Sequence, residues 1–313
     1  MTTPGIQHPA IVPLRPLDTG DSFGSLEVIV YGTYDDGEPA AVQLSDTDAP
    51  HVLVTGPTGS GTTTLLRNLA IGGARIGCDV RVCDPKRVGM RGLRGWPNVT
   101  TVATRVDEMI ALIEDTFGEM HDRYEAIEEG RARAEDYQRI VLIIDMYPLL
   151  SMLIRDNWRQ ARAGLSGEQP EEHPAIRKLR ALGVMARGAK MNLVLGSARP
   201  AVSDFPEGFF DQFGGRIALG RQTAESAALM FGDATAGRDI LLGACGVGAA
   251  ATAGGPERIT VGWLPDPSDY PGGSRPADGA ADEPWPLLLA MLPVGATWDG
   301  PVPRTGKSQL SET

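Results

Sequence analysis

Lysine is scarce in this 313-residue chain. Lys86, Lys178, Lys190 and Lys307 stand against 25 arginines, so a flexible point-charge cation for a phosphate has few possible positions. No apolar run approaches the ~18 residues of a membrane-spanning helix, and the opening MTTPGIQHPAIVPLRP lacks a basic-then-apolar leader pattern. The expectation is a cytoplasmic protein without direct membrane insertion. The three cysteines, Cys78, Cys83 and Cys245, lack metal-ligand spacing; Cys78 and Cys83 flank an expected strand and read as reduced core residues. A basic excess is also missing. The net charge is −11. Residues 1–50 hold eight acids and one arginine, residues 266–313 seven acids and three bases, and 51–265 are balanced at 25 of each. An overall nucleic-acid footprint is thereby excluded, although a local basic stripe inside a ring is not.

What is present centres on His51 to Ala70, HVLVTGPTGSGTTTLLRNLA. Val52-Leu53-Val54 is long enough for a buried strand. Gly56-Pro57-Thr58-Gly59-Ser60-Gly61-Thr62-Thr63-Thr64 is a glycine-rich turn, and Leu65, Leu66, Leu69 and Ala70 follow helical spacing. Strand, turn and helix in this order are the context of a phosphate-binding loop. Its backbone N–H groups and the helix N-terminus converge on an anion. The spacing fits G-x-x-x-x-G-K-[ST] except that the lysine position holds Thr62. The cradle is there and its cation is not.

Around this stretch the chain reads as an α/β protein. Residues 25–45 predict an N-terminal β-hairpin turned at Asp35-Asp36-Gly37-Glu38. Asp79–Cys83 predicts a parallel strand ending in Asp84-Pro85-Lys86-Arg87, and 98–102 a short strand. Thr104–Glu129 predicts a long helix with a Thr104/Asp107 capping box. Ile140–Ile144 reads as a buried strand tipped by Asp145, whose carboxylate is placed to hold Mg²⁺; Met146 stands where a water-polarising glutamate is usual. Residues 155–174 read as a polar inserted loop, 176–187 as a helix, 193–196 as a strand ending in Ser197-Ala198-Arg199-Pro200, 216–221 as a strand, 224–231 as a helix, and 243–264 as a hairpin with a last strand. Residues 1–24 are expected to be extended and 266–313 to form a mostly flexible acidic tail with one apolar island at 285–292.

In order and spacing, HVLVTGPTGSG, VCDPKR, EMHDRYE, VLIID, GSARP, FGGRIALGR and MFGD resemble the motor domain of FtsK/SpoIIIE-type DNA translocases, in the versions found in actinobacterial conjugative elements and phages. Type VII secretion ATPases are built from related domains. The resemblance covers roughly three quarters of the chain and implies a RecA-like P-loop core over 25–265, with a mainly parallel sheet flanked by helices. It also implies a hexameric ring, double-stranded DNA in the channel, and ATP with Mg²⁺. By position, Gly56, Pro57, Thr58, Gly59, Ser60, Gly61, Thr62, Thr63 and Thr64 would hold the nucleotide. Thr63 and Asp145 would hold the metal, Asp145 and Arg199 would serve catalysis, and Arg216 or Arg221 would reach a neighbour's nucleotide.

Three departures coincide. Thr62 replaces the P-loop lysine, Met146 the glutamate, and Ala198 a glutamine. All three lost groups position or polarise the reacting phosphate and water. The expectation is therefore an ATP-binding, FtsK-like protein of DNA transfer or translocation with impaired or absent hydrolysis. The alternatives are an active duplex-DNA translocase using substitute groups, with Lys86 as its cation, or a partner-docking module like the degenerate ATPase domains of type VII secretion. A membrane-anchored partner would supply any tether.

Overall fold

The computed structural model describes residues 27–164, 170–205, 208–270 and 285–301. The expected extended segment 1–24 lies outside them. The strands are β1 (Val28–Tyr34), β2 (Pro39–Gln43), β3 (Val52–Thr55), β4 (Asp79–Cys83), β5 (Val99–Ala103), β6 (Ile140–Ile144), β7 (Met191–Ser197), β8 (Gly215–Leu219), β9 (Val247–Thr252) and β10 (Gly255–Val261). The helices are α1 (Thr62–Arg75), α2 (Val106–Glu128), α3 (Tyr147–Arg162), α4 (Pro174–Met185), α5 (Ala224–Phe231) and α6 (Trp285–Leu289). One ten-stranded sheet runs in the order β2-β1-β10-β9-β8-β3-β7-β6-β4-β5. The stretch from β8 to β5 is parallel, and β9, β10, β1 and β2 extend it antiparallel. The expected hairpin is β1–β2; it lies at the far edge, separated from β3 by β10, β9 and β8.

The central parallel strands β3, β6 and β7 are buried on both faces, which is why they read as mostly apolar runs. Alternation divides their side chains between two cores. Val52, Val54, Val141 and Ile143 face α1 with Leu65, Leu66 and Leu69. Leu53, Ile140, Leu142 and Ile144 pack on the other face with Met109, Ile113, Leu150, Ile154 and Leu179. Close approach fixes one glycine. A Cβ on Gly196 of β7 would stand 2.6 Å from Leu66 Cδ1, so only glycine lets α1 lie this near the sheet. His51, at the foot of β3, accepts the Leu193 N–H through Nδ1 at 3.0 Å; burial lowers its pKa to about 4.

Three local expectations are corrected. Residues 155–162 are not loop but the last two turns of α3, which buries Leu150, Ser151 and Ile154 and turns its polar side outward. At the α2 N-terminus the capping acid is Glu108 and not Asp107: its carboxylate accepts both the Thr104 and Arg105 backbone N–H groups at 3.0 Å. The described part of the tail is not loose: Leu288, Met291 and Trp298 are buried, and the Trp298 ring lies 4.7 Å from that of Trp96. Arg67 and Arg75 of α1 bind Asp266 and the Ala290 carbonyl, so this segment straps the back of α1. The tail residues 271–284 and 302–313 lie outside the described part.

Candidate nucleotide site

The carboxyl ends of β3, β4, β6 and β7 meet on one edge of the parallel sheet, where open α/β folds bind ligands. Between β3 and α1, Gly59 and Gly61 adopt positive φ of 86° and 100°, a conformation available to glycine at little cost. The Ser60 N–H closes onto the Pro57 carbonyl at 3.0 Å. Gly61 is the N-cap of α1 and offers no side chain to the first-turn N–H groups, so those donors face whatever occupies the turn. A Cβ on Gly56 would fall 2.4 Å from Ser60 Oγ and 3.0 Å from the Leu219 carbonyl oxygen. The turn is a closed concavity with no room for a larger residue at its first position.

A cavity of about 370 Å³ opens over this turn. Its walls are Gly56–Gly59, Gly61–Thr64, Lys86, Asp145, Met146, Ser197, Ala198 and Cys245. Thus eight of the nine expected nucleotide-binding residues line it; Ser60 is buried beneath the turn and contacts Thr62, their hydroxyl oxygens 3.3 Å apart. Asp145, on the tip of β6, is 1 % exposed. The Thr63 hydroxyl, in the first turn of α1, donates to its Oδ2 at 3.2 Å. Two hard oxygen donors converge there, the donor chemistry a Mg²⁺ ion takes, so the expected pair fits the metal.

Lys86 completes the group. Its ammonium lies 2.8 Å from Asp145 Oδ2 and 2.9 Å from Thr63 Oγ1. The loop after β4 carries it there, and Asp84 shapes that loop. The Asp84 carboxylate, fully buried, accepts the Arg87 and Met90 backbone N–H groups at 3.0 and 2.9 Å. Burial, with the neighbouring Asp145 charge, raises the Asp84 pKa despite these bonds. Arg87 takes a positive φ of 69°. A Cβ on Gly89 would come within 2.8 Å of Thr63 Cγ2 and 2.9 Å of Asp145 Oδ2, so the loop is pressed directly on the site.

A second part of the lining is chemically quiet. Met146, left-handed at φ 75°, and Ala198 occupy it. Among the described residues lining the cavity, Asp145 is the one carboxylate and Lys86 the one cation. Arg199 is not in this cavity. With Arg221 it lines an adjoining one of about 760 Å³ that shares Gly56, Pro57 and Ala198. Arg216 is not free to reach a neighbour: it donates to the Phe213, Leu229 and Met230 carbonyls and stacks on Phe210 at 4.6 Å. Asp84, Gly89 and Cys245 were not singled out as site residues. The polar DPKR cluster at a strand end signals the first; nothing local signals Cys245, which the loop before β9 brings over Gly61 through a bond from the Gly246 N–H to the Ser60 carbonyl at 2.8 Å.

Residues 21–140, which include the turn, α1 and the DPKR loop, match the FtsK/SpoIIIE family model. Over that stretch the chain is similar to the FtsK/SpoIIIE family. Among curated relatives, the FtsK domain-containing protein YdcQ of Bacillus subtilis is 25% identical over 59% of this chain and 37% of its own length. Protein Tra of Streptomyces lividans is 28% identical over 63% of this chain and 32% of its own length. The chain thus spans about a third of the length of the curated relatives it matches. The conjugation coupling protein TcpA of pCW3, solved with ATPγS, superposes with a TM-score of 0.63 at 19% identity, covering 82% of this chain and 71% of TcpA. The cytoplasmic domain of the Thermomonospora curvata type VII secretion ATPase EccC gives 0.62 at 18% identity, covering 93% of this chain and 33% of that one. The two superpositions show a RecA-like P-loop fold. No helix among the described residues is long and apolar enough to cross a membrane.

Proposed function

We propose that this chain is a nucleotide-binding, FtsK/SpoIIIE-like subunit of a DNA-transfer or translocation system in which ATP hydrolysis is impaired. One observation carries the reading. The cavity keeps the backbone turn that cradles phosphate and the oxygens that hold metal, and lacks the glutamate and glutamine that would polarise an attacking water. The Gly56–Gly61 turn would wrap the phosphates with backbone N–H groups, and Thr63 and Asp145 would hold Mg²⁺. Held by those two oxygens, the metal would supply positive charge that offsets the charge of the phosphates. Asp145 is already engaged by Thr63 and Lys86, which leaves no free carboxylate to take a proton from water. Missing general-base help costs roughly 10²–10⁴-fold in rate, and a missing transition-state donor roughly 10²–10³-fold. Both deficits together are too large for a motor.

The resemblance to FtsK/SpoIIIE-type DNA translocases favours DNA as the polymer served, and one similar structure is a conjugation coupling protein. Assembly into a ring with its own kind or with an active paralogue, and a tether through a membrane-anchored partner, belong to the same proposal. The purified chain is expected to bind ATP with Mg²⁺ and to release no phosphate above background, with or without duplex DNA. DNA-stimulated turnover that Asp145→Ala abolishes would overturn the reading and make the chain a working translocase.

A further inference from the structure

The lysine missing from the P-loop has a counterpart across the cavity. Lys86 is the sole cation among the described residues lining the phosphate cavity. Its ammonium already touches the Thr63 hydroxyl, two residues into the helix that the P-loop opens, at 2.9 Å. The position it replaces is not idle but redirected: Thr62 Oγ1 stands 3.3 Å from Ser60 Oγ, within the turn. The loop bearing Lys86 is built to hold it there, by the two backbone bonds to Asp84 and by the close seat of Gly89 on Thr63 and Asp145. Lys86 is also partly solvent-facing, its side chain 32% exposed against 2% for Asp145. One end of the pair is therefore buried and the other reaches solvent.

We propose that Lys86 is the phosphate-binding cation of this pocket, in place of the residue at position 62. It exchanges Asp145 for the terminal phosphates when a nucleoside triphosphate enters. A four-carbon stem with a compact charge suits such a swing, since any of its three N–H donors can serve either anion. The exchange couples two events at one pair of oxygens. While Lys86 rests on Asp145 and Thr63, it holds the oxygens a divalent cation would take. Once it moves to the phosphates, those oxygens are released. Two consequences follow: triphosphate affinity measured without metal depends on Lys86, and restoring a lysine at position 62 makes Lys86 dispensable.

This inference rests on the nucleotide-site reading, and the test separates the two. The full chain is titrated with a fluorescent ATP derivative, once in EDTA and once with Mg²⁺, as wild type, Lys86→Ala, Thr62→Lys, and Lys86→Ala with Thr62→Lys. Thermal melting of each variant monitors folding. Charge-assisted bonds to phosphate are among the stronger single contacts, so Lys86→Ala is expected to weaken binding in EDTA tenfold or more and to weaken it less with Mg²⁺. The double variant is expected to regain most of the lost affinity. Were Lys86 only the structural counter-ion of Asp145, Thr62→Lys would raise affinity by the same few-fold in the Lys86→Ala chain as in wild type; the exchange predicts a gain several times larger in the Lys86→Ala chain. Unchanged affinity of Lys86→Ala in EDTA, or a gain from Thr62→Lys no larger in the Lys86→Ala chain than in wild type when the variants melt alike, overturns the role of Lys86 alone. A wild-type chain that binds no ATP in either buffer overturns the nucleotide site and this inference with it.

Discussion

The two walls of the P-loop cavity differ in what they retain. On the Thr63–Asp145–Lys86 side, three polar groups lie within 3.2 Å of one another and a shaped loop presses them together. On the Met146–Ala198 side a thioether and a methyl group stand where the resemblance leads one to expect a glutamate and a glutamine. The contrast teaches that holding a triphosphate and cleaving it are separable demands. Binding needs backbone donors, a cation and hard oxygens. Cleavage needs in addition a group aimed at water, and transition-state stabilisation is lost one donor at a time.

The sharpest way to break the binding wall is steric. Gly56→Val would drive side-chain atoms into Ser60 Oγ and the Leu219 carbonyl, the latter backbone and unable to yield. Triphosphate affinity is expected to fall at least a hundredfold, as read by titration. The silent wall is tested in the opposite direction. Met146→Glu with Ala198→Gln returns a base and an amide donor, and phosphate release is expected to rise about a hundredfold above wild type, by the usual worth of such groups; no gain would mean that the defect lies elsewhere. A milder test addresses the loop. Asp84→Ala removes the acceptor of two backbone N–H groups, each bond worth about 1 kcal/mol, and is expected to weaken metal-free binding about threefold to tenfold while leaving Mg²⁺-supported binding less affected. The smallest effect is expected of Thr62→Lys alone: a few-fold gain in affinity with no gain in turnover, since it adds a cation to a wall that already has one.

How much of this was legible in the sequence depends on how local each feature is. The strand, the turn and the first helix of the nucleotide site are consecutive, and each carries its own signal, so the cradle was readable residue by residue. Asp145 was readable because a five-residue apolar strand ends on it. Lys86 was readable as a candidate through the scarcity of lysine, but its contact with Thr63 and Asp145 depends on β4 and β6 being neighbours, a tertiary fact. Asp84 and Gly89 act through backbone bonds and clearance, which composition does not report. The far end of α3 was missed because Arg155, Asp156, Arg159 and Arg162 look like loop by polarity, while the apolar anchors Leu150 and Ile154 lie earlier in the helix. Arg216 was a candidate for a neighbour's nucleotide through the resemblance; one carbonyl partner, Phe213, is three residues away, but the Leu229 and Met230 carbonyls are brought to it by the packing of α5 on β8. The strap over α1 rests on Trp298 meeting Trp96 from far along the chain, beyond any periodicity.

The most direct measurement takes one sample of the purified wild-type chain, determines its affinity for ATP with Mg²⁺, and then follows phosphate release from that same saturated sample, with and without duplex DNA. Saturable binding with release at the background rate is the result this account predicts. Saturable binding with DNA-stimulated release would contradict it, and would mean that a group outside the Met146–Ala198 wall completes the site.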